Sequence, residues 1–240
     1  MNDLTVIVLA AGKGTRMKSS LTKVCHKVGD KPMIKHVTET AAQLNPKNII
    51  VVVSNENLHD IKSVVNSNIK LQIQREQLGT GHAVLNVIGN ISPTDLLVLL
   101  GDVPLITPQT LSQVISKQFD AVIIGFRDHN PENKFGRIIL QNDEVHKIVE
   151  YLDASPEERK ISLCNSGMLF IRKDYISLLY EITNNNKKGE YYLTDIVQIM
   201  TNKGLRVGYL EADVDECMGV NSPEELAKVN FLFNKMIKNL

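Results

Sequence analysis

The sequence is short of what marks nucleic-acid-binding, membrane and secreted proteins. Its 27 basic side chains are matched by 27 acidic ones, so the formal net charge is zero. A nucleic-acid binder usually carries a basic excess, and no nucleic-acid partner is expected. No apolar run approaches the roughly 20 residues of a membrane helix, so no membrane partner is expected. Asp3 stands directly before the first apolar run, with no basic leader and no cleavage site, which argues against a signal peptide. Cysteine is scarce: Cys25, Cys164 and Cys217 are far apart, odd in number and without metal-ligand spacing. They fit reduced thiols of a cytoplasmic protein rather than a disulfide framework or a zinc site. Two phosphate-binding fingerprints are missing as well. There is no GxxxxGK[ST] loop, and Met17 stands where GxGxxG needs its third glycine.

What is present begins at the first strand. Leu4–Leu9 is a near-continuous apolar run rich in Val and Ile, the pattern of a strand buried on both faces of a parallel sheet. It runs into Ala10, Ala11, Gly12, Lys13, Gly14, Thr15 and Arg16, with Lys23 shortly after. Small residues at the carboxyl end of such a strand leave backbone N–H groups open to a ligand. Arg16 and Lys23 add cationic side chains there, and the natural guest is a phosphate. Taken alone, these residues fit an ordinary strand-to-helix turn equally well.

The rest of the chain gives the loop its context. A helix is expected from Lys31-Pro32, with Ile34, Val37, Ala41 and Leu44 on one face. Strands are expected at Asn48–Val53, Lys70–Gln74, Asp95–Leu100 and Asp120–Phe126. Helices alternate with them: Asn57–Val65, one after Gln77–Ala83, and one opened by Thr107-Pro108. This rhythm predicts an α/β protein with a doubly wound, mainly parallel sheet. Beyond residue 126 it changes to an α+β pattern. Gly136–Leu140 and Val145–Val149 read as a hairpin, and Ser155-Pro156-Glu157-Glu158 as a capping box. Cys164–Ile171 reads as a strand, Leu193, Ile196, Val197 and Met200 as one helix face, and Leu205–Leu210 and Val214–Val220 as edge strands. A second capping box, Ser222 to Glu225, opens a C-terminal helix with Leu226, Val229, Phe233 and Ile237 in a stripe. The expectation is a single domain over residues 1–240, a nucleotide-binding half to about residue 126 and a second half from about 127 forming the other wall of a cleft.

Asp102 follows the most apolar strand and a glycine, so its carboxylate should share the sheet edge with the first loop. A carboxylate about 4 Å from one phosphate charge would be repelled by about 4 kcal/mol at an effective dielectric near 20. The pairing makes sense with a divalent cation between the two, and Mg²⁺ suits carboxylate and phosphate oxygens.

Leu9–Met17 (LAAGKGTRM), Lys23, Gln74, Gln77–Ala83 (QLGTGHA), Gly101–Leu105 (GDVPL), Phe135–Ile138 (FGRI), Ile148–Glu150 (IVE), Asn165–Gly167 (NSG), Gly189–Asp195 (GEYYLTD) and Gly219–Asn221 (GVN) occur in this order. Together they resemble the uridylyltransferase domain of the bacterial N-acetylglucosamine-1-phosphate uridylyltransferases, a family of nucleotide-sugar pyrophosphorylases. The resemblance implies a Rossmann-like nucleotidyltransferase fold with a sugar-binding α+β half. It implies a cytoplasmic, Mg²⁺-dependent enzyme of cell-wall biogenesis, with UTP and a sugar 1-phosphate as partners. In that reading Leu9, Ala10, Ala11, Gly12, Gln74, Gly79 and Thr80 hold the nucleoside, while Arg16 and Lys23 contact the triphosphate. Asp102 and Asn221 ligate the metal. Gly136, Glu150 and Asn165 hold the sugar, joined by Tyr192 and Thr194. His26 and His82 are read as structural or solvent-facing.

The family usually has Lys where this chain has Leu152, Pro at Thr22, often Tyr at Leu100, and Thr at Ser166. Its bifunctional members continue into an acetyltransferase β-helix, whereas this sequence stops at Leu240. A homo-oligomer or a separate acetyltransferase partner is compatible with that. Two alternatives stay open at this stage: a nucleotidyltransferase for another sugar or alcohol phosphate, and a catalytically weak nucleotide-sugar binding subunit.

Overall fold

Unbroken runs of Val, Ile and Leu bury both faces of a strand, and the three such runs of the first hundred residues lie side by side. In the computed structural model, which describes residues 2–130 and 132–238, the elements follow in order. They are β1 (Asn2–Leu9), the short ribbon β2 (Lys27–Val28) and β3 (Lys31–Pro32), α1 (Met33–Ala42), β4 (Pro46–Val53), α2 (Leu58–Val64), β5 (Lys70–Ile73) and α3 (Thr80–Ile88). Then come β6 (Asp95–Leu100), α4 (Pro108–Ser116), β7 (Ala121–Arg127), β8 (Arg137–Gln141), β9 (Glu144–Val149), α5 (Pro156–Arg159) and β10 (Leu163–Ile171). A 3-10 segment (Lys173–Glu181), α6 (Asp195–Asn202), β11 (Val207–Glu211) and α7 (Pro223–Lys238) complete the chain.

The main sheet has the order β11-β7-β10-β6-β1-β4-β5, with β8 and β9 branching from β10. β1 is parallel to both β4 and β6, and β5 and β11 are parallel to their neighbours. β10 alone on this path runs against its neighbours, inserted between β6 and β7. The sheet is thus mainly parallel, with one antiparallel strand from the second half of the chain at its heart. Alternate residues of each central strand feed opposite cores. Val6, Val8, Leu97 and Leu99 pack with α1 and α4 residues such as Ile34 and Leu111. Ile7, Val52, Leu96 and Val98 pack with Val84 of α3 and Val197 of α6.

Two expectations are corrected. Val214–Val220 is not a strand: Asp213 accepts the Asp215 N–H at 2.8 Å through its side chain and the Glu216 N–H at 3.1 Å through its carbonyl, coiling the segment into turns. Lys31-Pro32 belongs to the β2–β3 ribbon, which turns at Gly29 (φ 61°), and the helix begins at Met33. Both capping boxes form. Ser155 and Glu158 bond reciprocally, as do Ser222 and Glu225. All three cysteines are free and buried. Among the described residues, no helix is long and apolar enough to cross a membrane.

Candidate active site

The site is built where β1 and β6 end together. Leu9 and Leu100 are register partners, so Ala10–Gly12 and Gly101–Asp102 leave the sheet side by side. The Gly101 N–H donates to the Leu9 carbonyl at 2.9 Å, and a Cβ at Gly101 would meet the Ile34 Cδ1 at 2.9 Å and the Leu9 carbonyl oxygen at 3.2 Å. Ala10 is fixed from the other side: its N–H donates to the Val52 carbonyl (2.9 Å), and its carbonyl accepts from Asn57 Nδ2 (2.8 Å). Asn57 is buried and also accepts the Ser54 N–H at 2.9 Å, so it anchors the loop base. A 3-10 turn, Thr15–Met17, follows between left-handed Gly14 and Lys18, and leads back to Lys23.

A cavity of about 310 Å³ opens at this edge. Leu9, Ala10, Ala11, Gly12, Lys23, Gln74, Gly79, Thr80 and Asp102 all line it. Gln74 is buried and donates through Nε2 to the Gly79 carbonyl at 3.2 Å, with His82 Nδ1 at 3.1 Å. His82 thereby has a structural place beside Gln74. The turn Leu78–Gly81 is clasped by the segment Glu190–Thr194. Tyr191 donates its N–H to the Leu78 carbonyl (2.8 Å) and accepts from the Gly81 N–H (2.7 Å), and the Thr80 hydroxyl accepts from the Leu193 N–H (3.0 Å).

That clasp leads to a second, acidic group of residues. The Thr194 hydroxyl donates to Glu150 Oε1 at 2.9 Å. Gly136 lies under the same carboxylate, where an added Cβ would touch both Glu150 oxygens at 3.4 Å. Asn165 sits on an irregular stretch of β10 next to Gly167 (φ 84°); its Oδ1 accepts the Gly167 N–H at 3.0 Å and its N–H donates to the Gly136 carbonyl at 2.9 Å. Burial raises the Glu150 carboxyl above its usual range, against the pull of Thr194 and the Lys188 charge. Burial, then the charges of Glu150 and Asp153, push Asp195 up to about 6. Burial and the surrounding carboxylates push Tyr192 up to about 12.

Lys23 lines the first cavity and joins it to the end of the chain. Its ammonium lies 2.5 Å from Asp102 Oδ2 and 3.1 Å from Asn221 Oδ1. Asn221 comes from the far end of the chain, delivered by the bond from the Val220 N–H to the Asp102 carbonyl at 2.9 Å. A carboxylate and an amide oxygen therefore converge on one point, and a side-chain cation already stands there. Such a pair of hard oxygens suits Mg²⁺, which takes one or two protein ligands and completes its shell with phosphates and water. No group of three His, Cys, Asp or Glu side chains able to hold a metal occurs among the described residues, so a closed protein cage is not offered.

The expected residues thus divide. The nucleoside residues, Lys23 and Asp102 share one cavity, with Asn221 bonded to Lys23; Gly136, Glu150, Asn165, Tyr192 and Thr194 gather at the clasp's other side. Arg16 is exposed on its turn and does not line the cavity. Sequence reasoning missed Gln77 and Glu190 as lining residues and Asn57 as an anchor. The first two lie inside motifs that were read for other residues, while Asn57 carries no local signal. At the departures, Leu100 lines the cavity, Thr22 donates to Asp60 at 2.6 Å, and Ser166 donates to the Ile124 carbonyl at 2.7 Å. Leu152 is exposed, and the Lys187 ammonium donates to its carbonyl.

Residues 6–190 match the MobA-like NTP transferase domain family. The chain is 40% identical over 246 residues to the bifunctional protein GlmU of Brucella anthropi, covering 98% of this chain and 54% of that protein. It is 40% identical over 245 residues to the bifunctional protein GlmU of Paramagnetospirillum magneticum, covering 99% and 54%. The chain spans about half the length of the curated relatives it matches. A crystal structure of UDP-glucose pyrophosphorylase complexed with UDP-glucose is similar in fold, with a TM-score of 0.74 at 20% identity over 98% of this chain and 100% of that one.

Proposed function

The chain belongs to the MobA-like NTP transferase domain family, and from that premise we propose that it converts UTP and N-acetylglucosamine 1-phosphate to UDP-N-acetylglucosamine and pyrophosphate. One observation carries the reading: Lys23 and Asp102 line one cavity with Leu9–Gly12 and Gln74, and Asn221 meets them at the Lys23 ammonium. The ordered motifs and the 40% identity to the GlmU proteins support the choice of uridylyl donor and amino-sugar acceptor.

The acceptor's phosphate oxygen attacks the α-phosphorus of UTP, a new P–O bond forms, and the bond to the pyrophosphate oxygen breaks. A phosphate monoester is largely dianionic at neutral pH, its second pKa being near 6. No general base is required, so the absence of a Ser–His or His–Asp pair from the motifs does not count against an enzyme. The protein's task is in-line positioning and the absorption of charge. Gln74 and the backbone of Ala11–Gly12 hold the nucleoside. Lys23 presents its ammonium to the phosphates; Arg16, exposed on its turn outside the cavity, is assigned to them by the motif resemblance alone. Asp102 and Asn221 would hold Mg²⁺, which supplies charge neutralisation at phosphate oxygens when bound. On the acceptor side Glu150, kept in place by Thr194, takes hydroxyl or amide donors of the sugar, with Asn165, Tyr192 and Gly136 around it. A site lined by matched polar groups rejects analogues that leave them unpaired. The reading makes the protein a cytoplasmic supplier of a nucleotide sugar, and leaves a homo-oligomer or an acetyltransferase partner as arrangements it can work in.

A pyrophosphate-release assay over the four NTPs and several sugar 1-phosphates, at saturating Mg²⁺, tests the proposal. The expected result is turnover dominated by UTP with N-acetylglucosamine 1-phosphate. A preference for CTP or another acceptor would move the protein to a different nucleotidyltransferase, and UDP-sugar binding without turnover would make it a binding subunit.

A further inference from the structure

We propose that Glu225 is a positioning residue for the cation site, fixing the main chain of Asn221 so that its side-chain oxygen meets the charge at Lys23. The inference rests on the reading that Asp102 and Asn221 are metal ligands. Asn221 lies in a stretch without regular structure ahead of α7, so its direction depends on what grips its backbone. The grip on one side is the bond from the Val220 N–H to the Asp102 carbonyl at 2.9 Å. On the other side the Asn221 N–H donates to Glu225 Oε2 at 2.6 Å.

That second bond is more than helix capping. In a capping box the N3 carboxylate accepts the N–H of the N-cap residue alone. Here the N-cap is Ser222, whose N–H reaches Glu225 Oε2 at 3.1 Å, and Ser222 Oγ accepts the Glu225 N–H at 3.3 Å. The same oxygen reaches one residue further back, and its bond to Asn221 is the shorter of the two. A short bond to a carboxylate is the strong kind.

The helix that carries Glu225 is itself tied to the segment that follows Lys23. Asn230 Oδ1 accepts the Gly29 N–H at 2.9 Å, and its Nδ2 donates to the Lys27 carbonyl at 3.3 Å. Phe233 stands edge-on to His36 with ring centroids 5.1 Å apart, and a Cβ on Gly29 would lie 2.3 Å from the Phe233 ring. α7 therefore holds the ribbon after Lys23 with its middle turns and Asn221 with its N-terminal turn. Groups from opposite ends of the chain meet at Lys23 Nζ because one helix spans both.

The test uses the full chain and compares Glu225→Ala, Glu225→Gln and Ser222→Ala. Ser222→Ala breaks the capping box but leaves the Asn221 bond, so it separates positioning from helix stability. Mn²⁺ binding is read by EPR with the non-reacting α,β-methylene analogue of UTP, and thermal midpoints are measured in parallel. Removing an outer partner of a metal ligand typically weakens metal affinity by about 10-fold to 100-fold. Glu225→Ala should raise the Mn²⁺ Kd at the lower end of that range, with Glu225→Gln, which keeps an acceptor oxygen, recovering most of the loss. Ser222→Ala should lower the thermal midpoint while leaving the Mn²⁺ Kd within about twofold of wild type. Equal Mn²⁺ affinity in wild type and folded Glu225→Ala, or equal losses in Glu225→Ala and Ser222→Ala, would overturn the proposal. If Glu225→Ala does not fold, amide hydrogen exchange on the wild type decides: the Asn221 N–H, held by Glu225 Oε2, should be protected, and exchange at the free-chain rate overturns the assignment. A wild-type chain that binds no Mn²⁺ with the analogue removes the functional reading itself, a different failure.

Discussion

Gly79→Ala probes the clasp that joins the two halves of the site. Gly79 has φ 116° and ψ 173°, in a region that only glycine occupies comfortably. Forcing an alanine there costs about 1–3 kcal/mol of backbone strain. Space is also lacking, because the new Cβ would lie 2.5 Å from the Tyr191 carbonyl oxygen and 2.8 Å from its nitrogen. These are backbone atoms, so the Glu190–Thr194 segment itself must move. Three bonds are then at risk, those from Tyr191 to Leu78, from Gly81 to Tyr191 and from Leu193 to Thr80. At about 1 kcal/mol each, with partial retention, the whole change costs about 3–5 kcal/mol. For a chain of this size each kcal/mol lowers the thermal midpoint by about 2–4 °C, so a fall of roughly 6–20 °C is expected by scanning calorimetry. Gly12→Ala is the control: nothing lies within 4 Å of its added Cβ, and its midpoint should stay close to wild type. The KM values for nucleotide and sugar phosphate should both rise in Gly79→Ala, because the moved segment carries Glu190 on one side and Thr194 on the other. A midpoint within about 2 °C of wild type would refute the clasp, since such a shift is worth under about 1 kcal/mol.

Three other outcomes are expected. Asp102→Asn should cut Mg²⁺-dependent turnover by about 100-fold or more while circular dichroism stays native, since transition-state charge stabilisation of this kind is typically worth that much; ordinary activity would remove the metal assignment. Asp195 has its folded-state pKa raised from 3.8 to about 6, chiefly by burial, so the folded chain holds this proton more tightly than the unfolded one. Its carboxyl therefore subtracts stability as pH rises from about 4 through 6, and Asp195→Asn should raise the urea midpoint at pH 7.5 but not near pH 4; an equal effect at both pH values would contradict this. The Lys188 charge acts on Glu150 at the acceptor side, so Lys188→Ala should raise the sugar-phosphate KM by about two- to fivefold at low salt with the UTP KM unchanged. Steady-state kinetics at two ionic strengths would show whether the effect is screened as a surface charge must be.

Much of the fold was legible because burial leaves a strong trace in composition. β1, β4 and β6 read as parallel strands from unbroken Val, Ile and Leu, and the ends of β1 and β6 line the cavity. The insertion of β10 between β6 and β7 was not legible, because Leu163–Ile171 is equally apolar whichever way it runs. Val214–Val220 misled because isolated apolar residues there flank an Asp213 side chain that caps a turn. The ribbon at Lys27–Pro32 was too short to leave a pattern. In the site, residues at strand ends were found from the chain alone: Asp102 and the Ala10–Gly12 backbone follow from where β6 and β1 must stop. The acceptor-side residues Glu150, Asn165 and Thr194 came only with the resemblance, since nothing in their local spacing requires them to meet. Asn57 acts on the Ala10 carbonyl of another loop, and such a long-range hydrogen bond has no sequence period; Glu225 was legible as a capping-box residue, but its reach back to Asn221 was not.

The central claim is that one crevice, between the end of β1 and Asp102, receives the nucleotide while the residues beyond the clasp receive the sugar. A crystal structure of the chain soaked with Mg²⁺ and UDP-N-acetylglucosamine tests it most directly. The account predicts uracil beside Ala11, Gly12 and Gln74, the diphosphate facing Lys23 and Asp102, and the sugar against Glu150. Uridine density anywhere else on the molecule would contradict it.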